Sequence, residues 1–257
     1  ADFGGPTRAE SVGFSIADKG YLGTGRDSLS SYNDFWEYNP IADNWTQKAD
    51  FAGTPRYEAF GFSITDKGYI GTGYDGTYRR DFWEYNPATD TWMAKANILE
   101  HDRKGAVAFS IAGKGYAGTG WEGAYVLRDF FEYDPAINGW TSIEELGVPV
   151  RNDAVGFSIG DKGYIGTGFS FDLYLKDFWE YDPANDSWTQ KADFGGAARS
   201  GAVGFGIGEK GYLGTGQDGL YTYNDFWEYN PATKTWTQKA DYGGAATMEA
   251  VGFSIGD

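Results

Sequence analysis

Apolar and polar residues alternate along this chain in short runs separated by turn residues. In the stretch from Ala154 to Ile159, Val155, Phe157 and Ile159 fall on one side, and Ala154, Gly156 and Ser158 on the other, the two-residue period of a strand. The surrounding stretch "AVGFSIGDKGYIGTGFSFDLYLKDFWEYDPANDSWTQKADF" predicts four strands: a ("AVGFSI"), b ("KGYIGTG"), c ("DFWEYD") and d ("SWTQKA"). Asp-Lys-Gly and Asp-Pro-Ala segments supply the turns between them. The predicted fold class is all-β.

The same pattern returns throughout the sequence. Gly-Thr-Gly triplets start at Gly23, Gly71, Gly118, Gly166 and Gly214, and the motif D-F-[WF]-E-Y-[ND]-P starts at Asp34, Asp81, Asp129, Asp177 and Asp225. A tryptophan follows in each copy, at Trp45, Trp92, Trp140, Trp188 and Trp236. Residues 1–257 therefore read as a single domain of repeats at about 1–48, 49–95, 96–143, 144–191 and 192–239, with a partial sixth at 240–257. A meander of four short strands is too small to bury its own aromatics, so the units must pack on one another, each Trp of strand d being buried between them beside small residues of strands a and b. Four strands in roughly 48 residues is the arithmetic of a β-propeller blade. The repeat also disposes of "GKGYAG" (113–118), which fits the G-x-G-x-x-G pattern of phosphate-binding loops. It is one of five equivalent turn-and-strand segments and opens no helix.

On its Gly-Thr-Gly after strand b, its Y-[ND]-P turn after strand c and its Trp in strand d, the unit resembles the kelch repeat of the galactose oxidase central domain/kelch superfamily. Its regularity is similar to secreted bacterial kelch-type proteins. The resemblance implies a propeller of four-stranded antiparallel blades and a secreted or cell-surface location, and it implies no single activity. The first residues, "ADFGG", match the tail of a strand d, and the last repeat stops after strand a. This favours a six-bladed propeller with a truncated last blade, in a parent chain continuing past Asp257, and offers self-association through the incomplete blade. Five closed blades with a spare strand is the alternative.

In such a meander the a–b and c–d turns share one edge and are nearly uniform, whereas the b–c and d–a loops share the other and vary. The variable edge is the candidate binding face. Its b–c loops carry Tyr74, Tyr78, Trp121, Tyr125, Phe171, Tyr174 and Tyr221, side chains of the kind that dominate interfaces. Its d–a loops carry Arg8, Arg56, Arg103, Arg151 and Arg199 in one register, with Thr247 in the sixth copy, and Glu10, Glu58, Gly105, Asp153, Gly201 and Glu249 two residues later. Near the axis, these arginines would form a ring for an acidic peptide or a sugar acid; alternatively each is an architectural clamp on a neighbouring carboxylate or carbonyl.

Composition narrows the chemistry. The net charge of −16 argues against nucleic acid as a partner, and no apolar run is long enough to span a bilayer. With no cysteine there is no disulfide, thiolate metal site or thioether-linked tyrosine radical, and His101 is the only histidine, so neither a metal nor a cofactor is expected. The sequence reads as a non-enzymatic, extracytoplasmic binding or surface-structural propeller for a protein, peptide or glycan ligand. The alternative is a carbohydrate-active enzyme, a sugar-acid isomerase or glycosidase, using acidic residues of the same face.

Overall fold

The computed structural model describes residues 1–147 and 149–256; Asp257, the last residue of the sixth repeat, lies outside the described residues. The fold is a β-propeller. Five four-stranded antiparallel sheets follow one another, each a meander in sequence order. Their strands, in the order a to d, are Val12–Ile16, Lys19–Gly23, Phe35–Asn39 and Asn44–Gln47 in the first blade, and Phe60–Ile64, Lys67–Gly71, Phe82–Asn86 and Thr91–Lys95 in the second. The third has Val107–Ile111, Lys114–Gly118, Phe130–Asp134 and Gly139–Ile143. The fourth has Val155–Ile159, Lys162–Gly166, Phe178–Asp182 and Ser187–Gln190, and the fifth Val203–Ile207, Lys210–Gly214, Phe226–Asn230 and Thr235–Gln238. A small extra hairpin, Phe169–Ser170 with Leu173–Tyr174, forms in the fourth b–c loop.

The blades stack because strand a presents Val (Phe60 in the second blade), Phe and Ile to small residues, mostly glycines, of the next blade. Val12 and Phe14 lie where a Cβ on Gly61 or Gly68 would stand, and Val155 and Phe157 do the same over Gly204 and Gly211. This corrects the expectation that Trp and Tyr fill that space: the glycines admit the apolar residues of the preceding strand a. The tryptophans are correspondingly less buried than their repetition predicts. Trp140 is buried, but Trp45, Trp92, Trp188 and Trp236 are only half-buried. The deep aromatic of each junction is the phenylalanine of strand c: Phe35, Phe82, Phe130 and Phe178 are almost fully enclosed. Phe35 packs edge-on against Tyr85 and Trp92 of the next blade, with centroids 4.8 and 5.0 Å away, and Phe178 against Tyr229 and Trp236 at 4.8 and 4.9 Å.

Residues 250–256 form no sheet, yet they lie between the fifth and first blades: Val251 packs over Gly13, and Phe253 over Gly20, while Gly252 faces Val203. The innermost segments of all six repeats thus line the central channel. They are tied at its mouth by a closed ring of backbone hydrogen bonds, in which Glu58 N donates to Glu10 O (3.1 Å), Gly105 N to Glu58 O (3.0 Å) and Asp153 N to Gly105 O (3.0 Å). Gly201 N then donates to Asp153 O (3.1 Å), Glu249 N to Gly201 O (2.9 Å) and Glu10 N to Glu249 O (3.1 Å).

Candidate functional site

All six residues of that ring adopt left-handed backbone conformations, including the non-glycines Glu10, Glu58, Asp153 and Glu249 at φ between 51° and 58°. Such angles cost a non-glycine residue on the order of 1 kcal/mol or more and persist where the surroundings impose them. Here the imposing element is the backbone ring, whose geometry turns four carboxylate side chains toward one small mouth. The cavity there, lined by the ring residues and the Ser or Ala that follows each, is about 110 Å³, room for roughly four waters. Gly105 and Gly201 leave room for these side chains: a Cβ on either would displace the carboxyl of Asp153 or Glu249, respectively.

The four acids are not equivalent. Glu10 is paired with Arg26 (Oε2 to Nε 2.5 Å) and Glu58 with Lys104 (3.0 Å). Among the described residues, Asp153 and Glu249 have no cationic partner; Asp153 accepts a 2.5 Å hydrogen bond from Asn152. Burial, reinforced by the charges of Glu58 and Glu249, drives the Asp153 carboxyl well above the usual carboxylate range. Burial, then Glu58 and Glu10, pushes Glu249 up to about 7. Burial also raises Glu58, partly opposed by Lys104.

Around this mouth lies an aromatic patch. Tyr74 packs against Tyr57 and Tyr78 (5.6 and 5.0 Å between centroids), and Tyr78 approaches Trp121 at 6.4 Å. The Lys104 ammonium stands 5.5–5.6 Å from the rings of Tyr57, Tyr74 and Trp121, and Arg26 stacks on Tyr57 at 3.9 Å. Beside it is an open cleft of about 620 Å³ lined by Tyr74, Tyr78, Arg80, His101 and Glu122 among others. There the His101 Nδ1 lies 2.6 Å from a Glu122 oxygen. The predicted residues Tyr74, Tyr78 and Trp121 are therefore brought together. Tyr125, Phe171 and Tyr221 stand exposed on separate loop tips, and Tyr174 packs on Phe169 at 4.9 Å. Glu249, the last member of the carboxylate register, joins the site, and Tyr57, Lys104 and Arg26, which were not among the sequence candidates, complete it. For Tyr57 and Lys104 the signal is positional: between the repeated Arg and the ring residue stand Ala9, Tyr57, Lys104, Asn152, Ser200 and Met248, a variable position inside an otherwise repetitive segment.

The arginine series occupies the clamp alternative. The side chains of Arg56, Arg103, Arg151 and Arg199 are 0–1% exposed, and that of Arg8 is 3% exposed. Each grips the Asp that opens its own blade's strand c, as in Arg103 to Asp129 (2.6 and 2.6 Å) and Arg151 to Asp177 (2.9 and 2.6 Å). One Nη also donates to the carbonyl of the Thr in Gly-Thr-Gly, itself left-handed, at 2.8–3.0 Å. In four blades the Asp further accepts from the indole of D-F-W, at 2.7–2.8 Å. The third blade has Phe131 in that place. In the sixth copy Thr247 holds this register in place of an arginine. These guanidinium groups have no free face for a ligand.

No family model matches the chain, and no curated protein matches it. Among solved structures, it is similar to one described as "Structure of YjhT", with a TM-score of 0.82 and 17% identity over 96% of this chain and 88% of that one. At that identity the likeness shows the propeller fold alone.

Proposed function

We propose that this chain is a non-enzymatic binding propeller of the kelch type, built on a six-repeat plan, and that it takes a peptide or glycan on the face formed by the b–c and d–a loops. The observation that carries the reading is the channel mouth: a backbone ring strained into left-handed angles, with Asp153 and Glu249 buried there and, among the described residues, in no ion pair, beside Tyr57, Tyr74, Tyr78 and Trp121. Strain of this kind concentrates where a structure holds groups ready for a ligand. The sign of the site is the reverse of an arginine ring. A ligand would present hydrogen-bond donors, an ammonium or a set of hydroxyls, to the carboxyl groups, and lay its apolar or sugar faces on the aromatic patch. The mouth is too small for a whole ligand, so the open cleft toward His101 and Glu122 takes the remainder.

An extracytoplasmic setting belongs to the same reading through the kelch resemblance, and fractionation of producing cells tests it. Arrays of peptides and glycans probed with the purified chain test the function. Binders are expected to be rich in amines or hydroxyls, and to lose at least about tenfold in affinity with Trp121→Ala. Turnover of an arrayed sugar, or binding that ignores Trp121, would refute the proposal.

A further inference from the structure

The fifth blade has an outer face that no other blade has. Phe35, Phe82, Phe130 and Phe178 are 0–1% exposed because the next blade covers them, whereas Phe226, in the same register, is only half-buried. Tyr212 and Phe205 are likewise half-buried where Tyr164 and Phe157 are enclosed, and Ile207 is 39% exposed where Ile159 is 7%. Tyr242 is 53% exposed, while its counterparts Phe51 and Phe194, seated on the tryptophans of the following blade, are 1% and 2% exposed.

The polar groups at this face lack partners in the same way. At the junctions between the five blades the strand-d indole donates to a carbonyl just past the previous strand d: Trp92 to Ala49 (3.1 Å), Trp140 to Ala96 (2.9 Å), Trp188 to Glu144 (3.0 Å) and Trp236 to Ala192 (3.2 Å). In three of these the amide of that same residue donates back to the side chain of an Asp or Asn in the next blade's c–d turn. Ala240 holds the corresponding place after the fifth blade and, among the described residues, makes neither bond. The segment Val251–Ile255 already forms the inner part of this interface, packed over Gly13 and Gly20, but among the described residues its own edge pairs with no strand.

We infer that the wedge between the fifth and first blades is a docking site for a three-stranded antiparallel β-segment of this chain's own repeat chemistry, one that pairs its first strand with Val251–Ile255. Its strand c would seat a tyrosine, and its strand d a tryptophan, on Phe226 and Tyr242; the indole would donate to the Ala240 carbonyl. The interface so made continues the one residues 251–255 begin, and repeats the geometry of the four junctions between the five blades. It is independent of the loop-face reading, since no residue of the channel mouth takes part. Thr247 adds a specification: with no arginine at this place, the residue that opens the docked strand c is neutral rather than Asp.

The test uses a peptide spanning residues 162–193 with Asp177→Ser, added to the full chain and followed by calorimetry and hydrogen exchange. We expect one-to-one binding, slowed exchange at residues 251–255 and in strand c of the fifth blade, and at least a tenfold loss of affinity in the Phe226→Asp chain. Because the free peptide can self-associate, the same segment appended after Asp257 gives a second readout. It should raise Tm in the parent chain and not in the Phe226→Asp chain. Failure of both the binding and the thermal gain, or gains equal in the Phe226→Asp chain, overturns the inference. So does a free chain that sediments as a dimer with residues 251–255 already protected, because a second copy would then be the occupant.

Discussion

Replacing Arg151 with alanine separates the two roles an arginine in this register can have. Its side chain is completely enclosed and makes two hydrogen bonds to Asp177 and one to the Thr167 carbonyl. Breaking a buried ion pair from one side costs about 3–5 kcal/mol, mainly because the remaining charge is stranded. In Arg151→Ala the stranded group is Asp177, which retains 15% exposure and a 2.7 Å hydrogen bond from Trp179. The cost therefore falls near the lower end, about 3 kcal/mol. The mirror change Asp177→Ala strands a guanidinium that water cannot reach and should cost at least as much. For a chain of this size, about 3 kcal/mol lowers Tm by roughly 6–12 °C. Urea unfolding followed by tryptophan fluorescence measures both variants, and replacing both partners with well-packed apolar residues, as in Arg151→Met with Asp177→Leu, should restore much of the loss. A cost below about 1 kcal/mol for Arg151→Ala, with ligand affinity falling instead, would refute the clamp.

Three further outcomes are expected. Gly68→Ala places a methyl against the Phe14 ring and should cost about 1–3 kcal/mol as overpacking, read by denaturant midpoint, whereas Gly76→Ala, which meets nothing, costs only the strain of a side chain at positive φ, about 1–2 kcal/mol. Trp92→Ala should cost about 3 kcal/mol, the low end of the large-aromatic range, because the ring is half-buried. Glu249 titrates at about 7 in the fold against an ordinary 4.5, so the folded state holds the extra proton between those values and wild-type stability falls as pH rises through that window. Glu249→Gln should flatten this fall, as urea midpoints at pH 5 and pH 7 would show; an unchanged slope would contradict the buried placement of the carboxyl beside Glu58 and Glu10.

The architecture was legible because the repeat is nearly exact in spacing: Gly-Thr-Gly, D-F-[WF]-E-Y and the strand-d Trp mark the same places in five blades, and turn chemistry marks their limits. What the pattern could not reveal was which side chain fills a gap left by glycine. Val12 and Phe14, rather than the tryptophans, occupy the space at Gly61 and Gly68, a matter of how far one blade is shifted along the next. Repetition also misdirected the reading of function. The arginines recur because every blade has an Asp to clamp, while Tyr57 and Lys104, which join the carboxylate register of Glu58, Asp153 and Glu249 at the mouth, differ from blade to blade and gain meaning only when the ring closes. Glu249 in particular belongs to the incomplete repeat, and its partnership with Glu10 joins residues at opposite ends of the sequence.

The claim that one face of the propeller binds is tested most directly by titrating an array-identified ligand against two sets of variants. Tyr74→Ala and Trp121→Ala alter the aromatic patch at the mouth, whereas Lys67→Ala and Lys162→Ala alter strand-b starts at the opposite edge. Calorimetry should show the first pair losing at least about 2 kcal/mol of binding free energy, the hot-spot range, with the second pair within about 0.5 kcal/mol of wild type, as for surface substitutions away from a site. Equal losses at both edges, or none at either, would contradict the assignment of binding to the loop face.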